Sequence, residues 1–237
     1  MSLTRFLPTP SDRMGILWSL LALENCVILE YGPAGTTHFS IGLFHELGEN
    51  QQNRLFTTHM SEDDVVMGDV TRLEKAILEI DQNFAPKVIF VVASSVAAVI
   101  GTDIKGVCSY MQERVQARLI AFDQGGFRGD YCAGVMETGK LLAQEVAVDS
   151  PAIQENTVNL LGFSMGSYRA ASDYRQLTYL LERAFGFQIG ACLCGESNID
   201  AVEQMGGARL NLVLREEGLA AAKILKSRFG TPIVTGC

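Results

Sequence analysis

The apolar positions fall into two alternating patterns. Cys26-Val-Ile-Leu-Glu, Lys87–Ala93 (KVIFVVA), Arg118–Phe122, Val158–Leu161, Phe187–Leu193, Leu210–Leu214 and Pro232–Val234 are short runs with little polar alternation. Such runs predict strands covered on both faces. Between them the spacing changes to that of a helix. Asp12–Leu23 aligns Met14, Leu17, Trp18, Leu21 and Ala22 behind a cap at Ser11 or Asp12, Val70–Ile80 aligns Leu73, Ala76, Ile77 and Ile80, and Asp103–Gln116 aligns Ile104, Val107, Cys108 and Met111. Further helices are predicted over His38–Leu47, Ala133–Val146, Arg169–Phe185, Asn198–Met205 and Leu219–Phe229. Leu55–His59 reads as a short extended run, and Ser61–Asp64 as a connection into Val65–Asp69. Strands alternate with helices and no hairpin signal intervenes. The pattern predicts an α/β fold with parallel, doubly wound sheets, in which ligands gather at the carboxyl ends of the strands.

A polar break divides the pattern. Asp149-Ser150-Pro151 and Gln154-Glu155-Asn156 read as a linker, separating a domain over residues 1–150 from a second over residues 151–237. The second unit stops at Cys237 directly after a strand, with no closing helix. With 237 residues and 48% hydrophobic content, the chain can bury one large or two small α/β cores. The formal charge of -8 without a Lys/Arg cluster argues against a nucleic-acid or anionic-membrane partner. Met1–Arg13 lacks a basic-then-apolar leader and no apolar stretch approaches about 18 residues, which points to a cytoplasmic protein. Its six cysteines form no C-x-x-C pair and lack zinc-site spacing, so reduced, buried thiols are the expectation. Cys192 and Cys194 alternate with Ala191 and Leu193 and are predicted to face one side of a strand.

Chemistry is expected at the strand ends. Tyr31–Phe39 (YGPAGTTHF) reads as the end of a buried strand, a tight turn at Gly32-Pro33-Ala34-Gly35, and a helix starting near Thr36 or Thr37. Glycines there let the backbone approach a ligand, and the helix amides point at the same place; as a plain connector the turn needs neither. Gly162-Phe-Ser-Met-Gly166 has the spacing of a nucleophile elbow, but all three histidines precede Ser164, so a glycine-eased turn is the simpler reading. Arg128 is a lone cation in the loop Asp123–Asp130, suited to an anion or simply solvated. Thr102 or Asp103 is placed to cap the helix that follows Gly101.

In this order YGPAGTTHF, FTTHMSEDDVVMGDVTRLEKAI (Phe56–Ile77), VASSVAAVIGTDI (Val92–Ile104), GGFRGDY (Gly125–Tyr131), VNLLG (Val158–Gly162) and ARLNLVLREEGLAAAKILKSRFGTPIV (Ala208–Val234) resemble the nitrogenase component 1 superfamily. That superfamily includes molybdenum-iron protein subunits, cofactor-assembly scaffolds, light-independent protochlorophyllide reductases and the nickel-sirohydrochlorin cyclase. The resemblance implies Rossmann-like parallel sheets flanked by helices, and a chain corresponding to the first two domains of a three-domain subunit, the third absent. It implies reductive chemistry on a tetrapyrrole, metallocofactor or small unsaturated substrate. Electrons would come from an ATP-dependent P-loop iron-sulfur reductase, and the subunit would work as a homo- or heterodimer with a nitrogenase-like partner. The cysteine ligands of the family's bridging iron-sulfur cluster correspond to positions near Pro8, at Thr36 and at Ser95, where no thiolate stands. Its cofactor-ligating cysteine corresponds to Arg215, and its substrate-site residues to positions around Cys132 and Met136. The cofactor-binding residues so implied are Gly32, Pro33, Gly35, Thr36, Ser95, Arg128, Cys132 and Arg215, with no metal ligand among them. Loss of the cysteines also fits a non-catalytic cofactor-binding or assembly scaffold.

Overall fold

Cys26–Tyr31 (β2) and Val88–Ala93 (β4) are buried at every position, because helices cover both faces of their sheet. The computed structural model of the chain describes residues 9–38, 54–150 and 152–236. Leu55–Thr57 (β3) and Arg118–Phe122 (β5) complete a four-stranded parallel sheet in the order β3-β2-β4-β5. Asp12–Leu21 (α1) and Tyr131–Leu141 (α7) lie against one face, where Phe90, Phe122, Trp18 and Val135 share a core. Thr71–Phe84 (α4) and Ile104–Met111 (α6) cover the other through Ile77, Ile80, Ile89 and Met111. A helical turn over residues 34–38 (α2) follows β2, and Ser95–Val99 (α5) follows β4.

A second parallel sheet, order β10-β9-β6-β7, is built from Gln154–Leu161 (β6), Gln188–Cys192 (β7), Ala208–Val213 (β9) and Ile233–Thr235 (β10). Ala170–Phe185 (α8) packs on one face, and Ile199–Glu203 (α9) and Leu219–Phe229 (α10) on the other. The two units share one apolar core, since Leu161, Val213 and Leu225 belong to the same cluster as Leu17 and Phe90. Two joints reinforce it. Leu23–Glu24 (β1) pairs in parallel with Ser197–Asn198 (β8), and Lys87 pairs with Asp200 and, at 3.0 Å, with Glu203.

Several expectations change. Glu62–Met67 (α3) is a helix rather than a connection, started by a reciprocal capping box between Ser61 and Asp64 and stopped by Gly68 at φ 64°. The helix after Gly-Pro-Ala-Gly begins at residue 34, ahead of Thr36, and the predicted continuation over 39–47 lies outside the described residues. Leu23, expected at the end of α1, starts β1 instead. β7 ends at Cys192, and Cys194 takes a left-handed φ of 61°, so the strand alternation breaks. Cys192 therefore packs with Val158 and Leu181 on the α8 side, while Cys194 joins the shared core and its thiol donates to the Val135 carbonyl at 3.6 Å.

α1, buried along its whole length, meets α7 at a glycine-to-glycine crossing. A Cβ at Gly134 would overlap the Asp12 carbonyl, and one at Gly15 the Tyr131 carbonyl. Replacing Gly134 with Ala is expected to lower stability by about 2–3 kcal/mol through overpacking. Replacing Gly35, which has open space around it in a helical turn, is expected to be neutral or to stabilise by ~0.5–1 kcal/mol. Chemical denaturation midpoints at unchanged m-value check both.

Candidate functional site

Glu30 interrupts the apolar run of β2 and is fully buried. A charge in that position requires a partner. Arg13 supplies it: its Nε donates to Glu30 Oε1 at 2.7 Å, and its Nη2 pairs with the same oxygen and donates to the Thr36 carbonyl at 3.0 Å. The Thr37 hydroxyl donates to Glu30 Oε2. One ion pair thereby joins α1, the end of β2 and the first turn of α2.

The turn itself is clasped from both neighbouring strands. The Gly32 amide donates to Thr58 Oγ1 at 3.1 Å, its carbonyl accepts from the Met60 amide at 2.9 Å, and a Cβ there would overlap the Ser94 side chain. The Pro33 carbonyl accepts from the Thr36 amide at 3.2 Å and from the Thr36 hydroxyl at 2.8 Å. Ser94, fully buried, caps α5 by accepting from the Ala97 amide at 3.1 Å, and the Ser95 hydroxyl donates to the Gly125 carbonyl at 2.8 Å. Gly126, at φ 99°, brings the loop after β5 against Ser11 and Ser95. Gly32, Pro33, Thr36 and Ser95 therefore collect at the carboxyl edge of the first sheet; Gly35 sits in the same turn, exposed.

The loop Asp123–Asp130 feeds α7, whose first turn Asp130 caps by accepting from the Ala133 amide at 3.2 Å. Buried Asp12 accepts from the Arg13 amide at 2.9 Å and the Arg128 amide at 3.1 Å. The Arg128 side chain extends outward, 3.5 Å from Asp123, whose other oxygen lies 3.1 Å from Lys105. Cys132 serves a different flank. Partial desolvation, followed by the hydrogen bond and charge of Glu217 and the charge of Asp130, pushes its thiol up to about 11, against an opposing pull from Arg215. Arg215 in turn donates to Ser167 Oγ at 3.3 Å. The structure thus brings Cys132 and Arg215 together, while Arg128 makes its contacts on the α1 side of α7.

Ser164 is buried, and its hydroxyl bonds the Tyr131 phenol; Trp18 packs against the same ring at a tilt of 53°, the centroids 5.3 Å apart. Burial raises the Tyr131 phenol to about 12, so this pair is a neutral joint between the two units. Gly162, at φ 79°, lies against the Arg215 backbone. Arg13, Glu30 and Tyr131 escaped the sequence reading. The signal for the first two was a carboxylate inside an otherwise apolar, two-faced strand.

The donor set does not fit an iron-sulfur cluster held in the ordinary way by this chain. Such clusters take thiolates. At Thr36 and Ser95, the two described positions to which the resemblance assigns the ligands, stand neutral hydroxyls, each already donating to a carbonyl. Burial raises the thiols of Cys26, Cys108 and Cys194 to about 12, and that of Cys192 well above its ordinary value, so these thiols stay protonated in the core. The position near Pro8, and Cys237, lie outside the described residues.

The family model for nitrogenase component 1 type oxidoreductases matches residues 11–236. The nitrogenase iron-molybdenum cofactor biosynthesis protein NifE of Nostoc sp. is 30% identical over 227 residues, covering 93% of this chain and 46% of that protein. The nitrogenase molybdenum-iron protein alpha chain of Clostridium pasteurianum is 25% identical over 220 residues, covering 89% and 40%. The chain spans about half the length of these relatives. The solved structure "Nitrogenase Cp1 at pH 5" superposes with a TM-score of 0.82 at 24% identity over 98% of this chain and 49% of that one, a likeness of fold. Among the described residues, no helix is long and apolar enough to cross a membrane.

Breaking the buried pair with Arg13→Met or Glu30→Gln is expected to cost about 3–5 kcal/mol, and the double variant less than the sum, in a denaturation double-mutant cycle. For Cys132, alkylation at pH 8 should be slower than for an ordinary exposed thiol. Glu217→Gln leaves the desolvation in place but removes one of the carboxylates that raise its pKa, and should speed the reaction in part, as peptide mass mapping would read.

Proposed function

Since the chain belongs to the nitrogenase component 1 type oxidoreductase family, we propose that it is a non-catalytic cofactor-binding or assembly subunit of a nitrogenase-like system, carrying a preformed metallocofactor as cargo. One observation carries this reading: Thr36 and Ser95 present hydroxyls committed to backbone carbonyls where an electron-transferring subunit needs thiolates. The likeness to a protein named for iron-molybdenum cofactor biosynthesis supports it. Binding needs a shaped edge with a cationic contact rather than redox ligands. The turn at Gly32, Pro33 and Gly35 with Thr36 and Ser95 would form one wall of that edge. Arg215 beside Cys132 would supply the cationic contact to an anionic cargo. With its thiol raised to about 11, Cys132 is protonated at neutral pH, so at first contact it offers a hydrogen-bond donor rather than a thiolate. The working unit in this proposal is a homo- or heterodimer with a nitrogenase-like subunit.

The likeness to a molybdenum-iron protein alpha chain favours a second reading, reduction of a tetrapyrrole, metallocofactor or small unsaturated substrate with electrons from a P-loop iron-sulfur reductase. That reading requires the partner subunit to furnish the thiolates missing at Thr36 and Ser95.

Isolated iron-molybdenum cofactor, titrated into the protein without oxygen, separates the two. Carrier function predicts stoichiometric binding, recovery of the cofactor unaltered, and no product when a reductase and ATP are added. Arg215→Ala should weaken binding by about 1.5–3 kcal/mol, the range for a charge-assisted contact. Reductase-dependent turnover would transfer the assignment to the second reading, and absence of binding would remove the carrier.

A further inference from the structure

A cavity of about 340 Å³ opens between α1, the loop after β5 and the outer face of α7, on a different flank from Cys132 and Arg215. Its charged lining is Asp12, Arg128, Glu137 and Lys140, with the Gln124 amide and the Ile16 side chain beside them. We propose that it is a binding site for a small zwitterion of the α-amino-acid class, the carboxylate held by Arg128 and Lys140 and the ammonium by Glu137 with the buried Asp12 behind it.

The electrostatics choose the ligand class. Two cations and two carboxylates line the same space, so their formal charges cancel. An inorganic anion or a dicarboxylate would meet Asp12 and Glu137 as well as the cations, and a plain amine would meet Arg128 and Lys140. A ligand carrying both charges a few ångströms apart satisfies both sets. The volume lies at the small end of ligand pockets.

Rigidity and availability are divided in a way that suits recognition. Asp12 is 1% exposed and locked by two backbone amides, giving a fixed negative wall. The groups at the rim are freer: Lys140 meets Glu137 at 3.2 Å with 41% and 28% of their side chains exposed, and Arg128 is 61% exposed and 3.5 Å from Asp123. Exposed pairs of this kind contribute little, so a ligand can exchange into them at small cost. The Gln124 Oε1 has no hydrogen-bond partner among the described residues, and an ammonium brought close would provide one once the amide turns toward it. The carrier reading places its contacts at Thr36, Ser95 and Arg215, none of which lines the cavity; Arg128 and Met136, which the resemblance assigns to cofactor and substrate positions, do line it.

The test is calorimetric titration of the intact protein with L-alanine and L-leucine, alongside propionate and ethylamine, which keep one charge each. Saturable binding of at least one amino acid is expected, with propionate and ethylamine weaker by about tenfold or more. Arg128→Met and Glu137→Gln, both at exposed or half-exposed rim positions, should each weaken it about tenfold while the far-ultraviolet spectrum and melting temperature hold. Propionate binding as tightly as alanine would show a plain anion site, and no saturable binding of either amino acid would show an empty surface cleft; both outcomes overturn the proposal. Failure of cofactor binding with amino-acid binding intact would leave this site standing without the carrier reading.

Discussion

The architecture depends on one buried ion pair. Glu30 lies in an otherwise apolar strand, between Thr57 and Val92 of the neighbouring strands, and Arg13 reaches it from α1, which is buried along its whole length. Desolvating both charges is expensive, and the geometry offsets that cost through the extra bonds to Thr36 and Thr37. The consequence is positional. The first turn of α2 cannot shift without exposing an unpaired charge, so Pro33 and Thr36 stay fixed above the strand ends. The neighbouring residue Asp12 fixes the loop after β5 in the same way, through the Arg128 amide. Two consecutive residues at the start of α1 therefore set both loops at the carboxyl edge of the first sheet.

The second unit is set chiefly by packing, with the exposed Lys87 pair to Asp200 and Glu203 at the seam. α7 crosses α1 where neither helix carries a side chain, which draws the helices together and carries Tyr131 onto Ser164 of the second unit. Cys132, one residue on, is thereby placed beside Arg215 and Glu217. The same helix presents Glu137 and Lys140 to the cavity on its outer flank. Its position determines both the Arg215 corner used by the carrier reading and the charge-balanced cleft.

Much of this was legible in the chain. Strands covered on both faces announce themselves as unbroken apolar runs, and β2, β4 and β5 fall where those runs do. α3 was not legible from apolar spacing, because none of its residues is buried and only the Ser61–Asp64 box marks its start. The relation of Cys192 to Cys194 was misread because strand alternation was carried one step past the strand, into a left-handed residue. At the candidate site the turn residues were singled out by their glycines and by resemblance. Arg13, hidden in a helical pattern, and Tyr131, an aromatic at a helix start, carry no local signal. Their roles arise from contacts to Glu30 and Ser164, distant in the chain, and only Glu30 betrayed itself by its charge.

The central claim is that hydroxyls at Thr36 and Ser95 have replaced the ligands of an electron-transferring cluster, leaving a binding edge. The most direct measurement is the iron and acid-labile sulfide content, with the ultraviolet-visible spectrum, of protein produced in cells that make no such metallocofactor and purified without oxygen. The account predicts no stoichiometric iron or sulfide and no visible band that bleaches on reduction. Stoichiometric iron and sulfide with a broad, reducible absorption would contradict it.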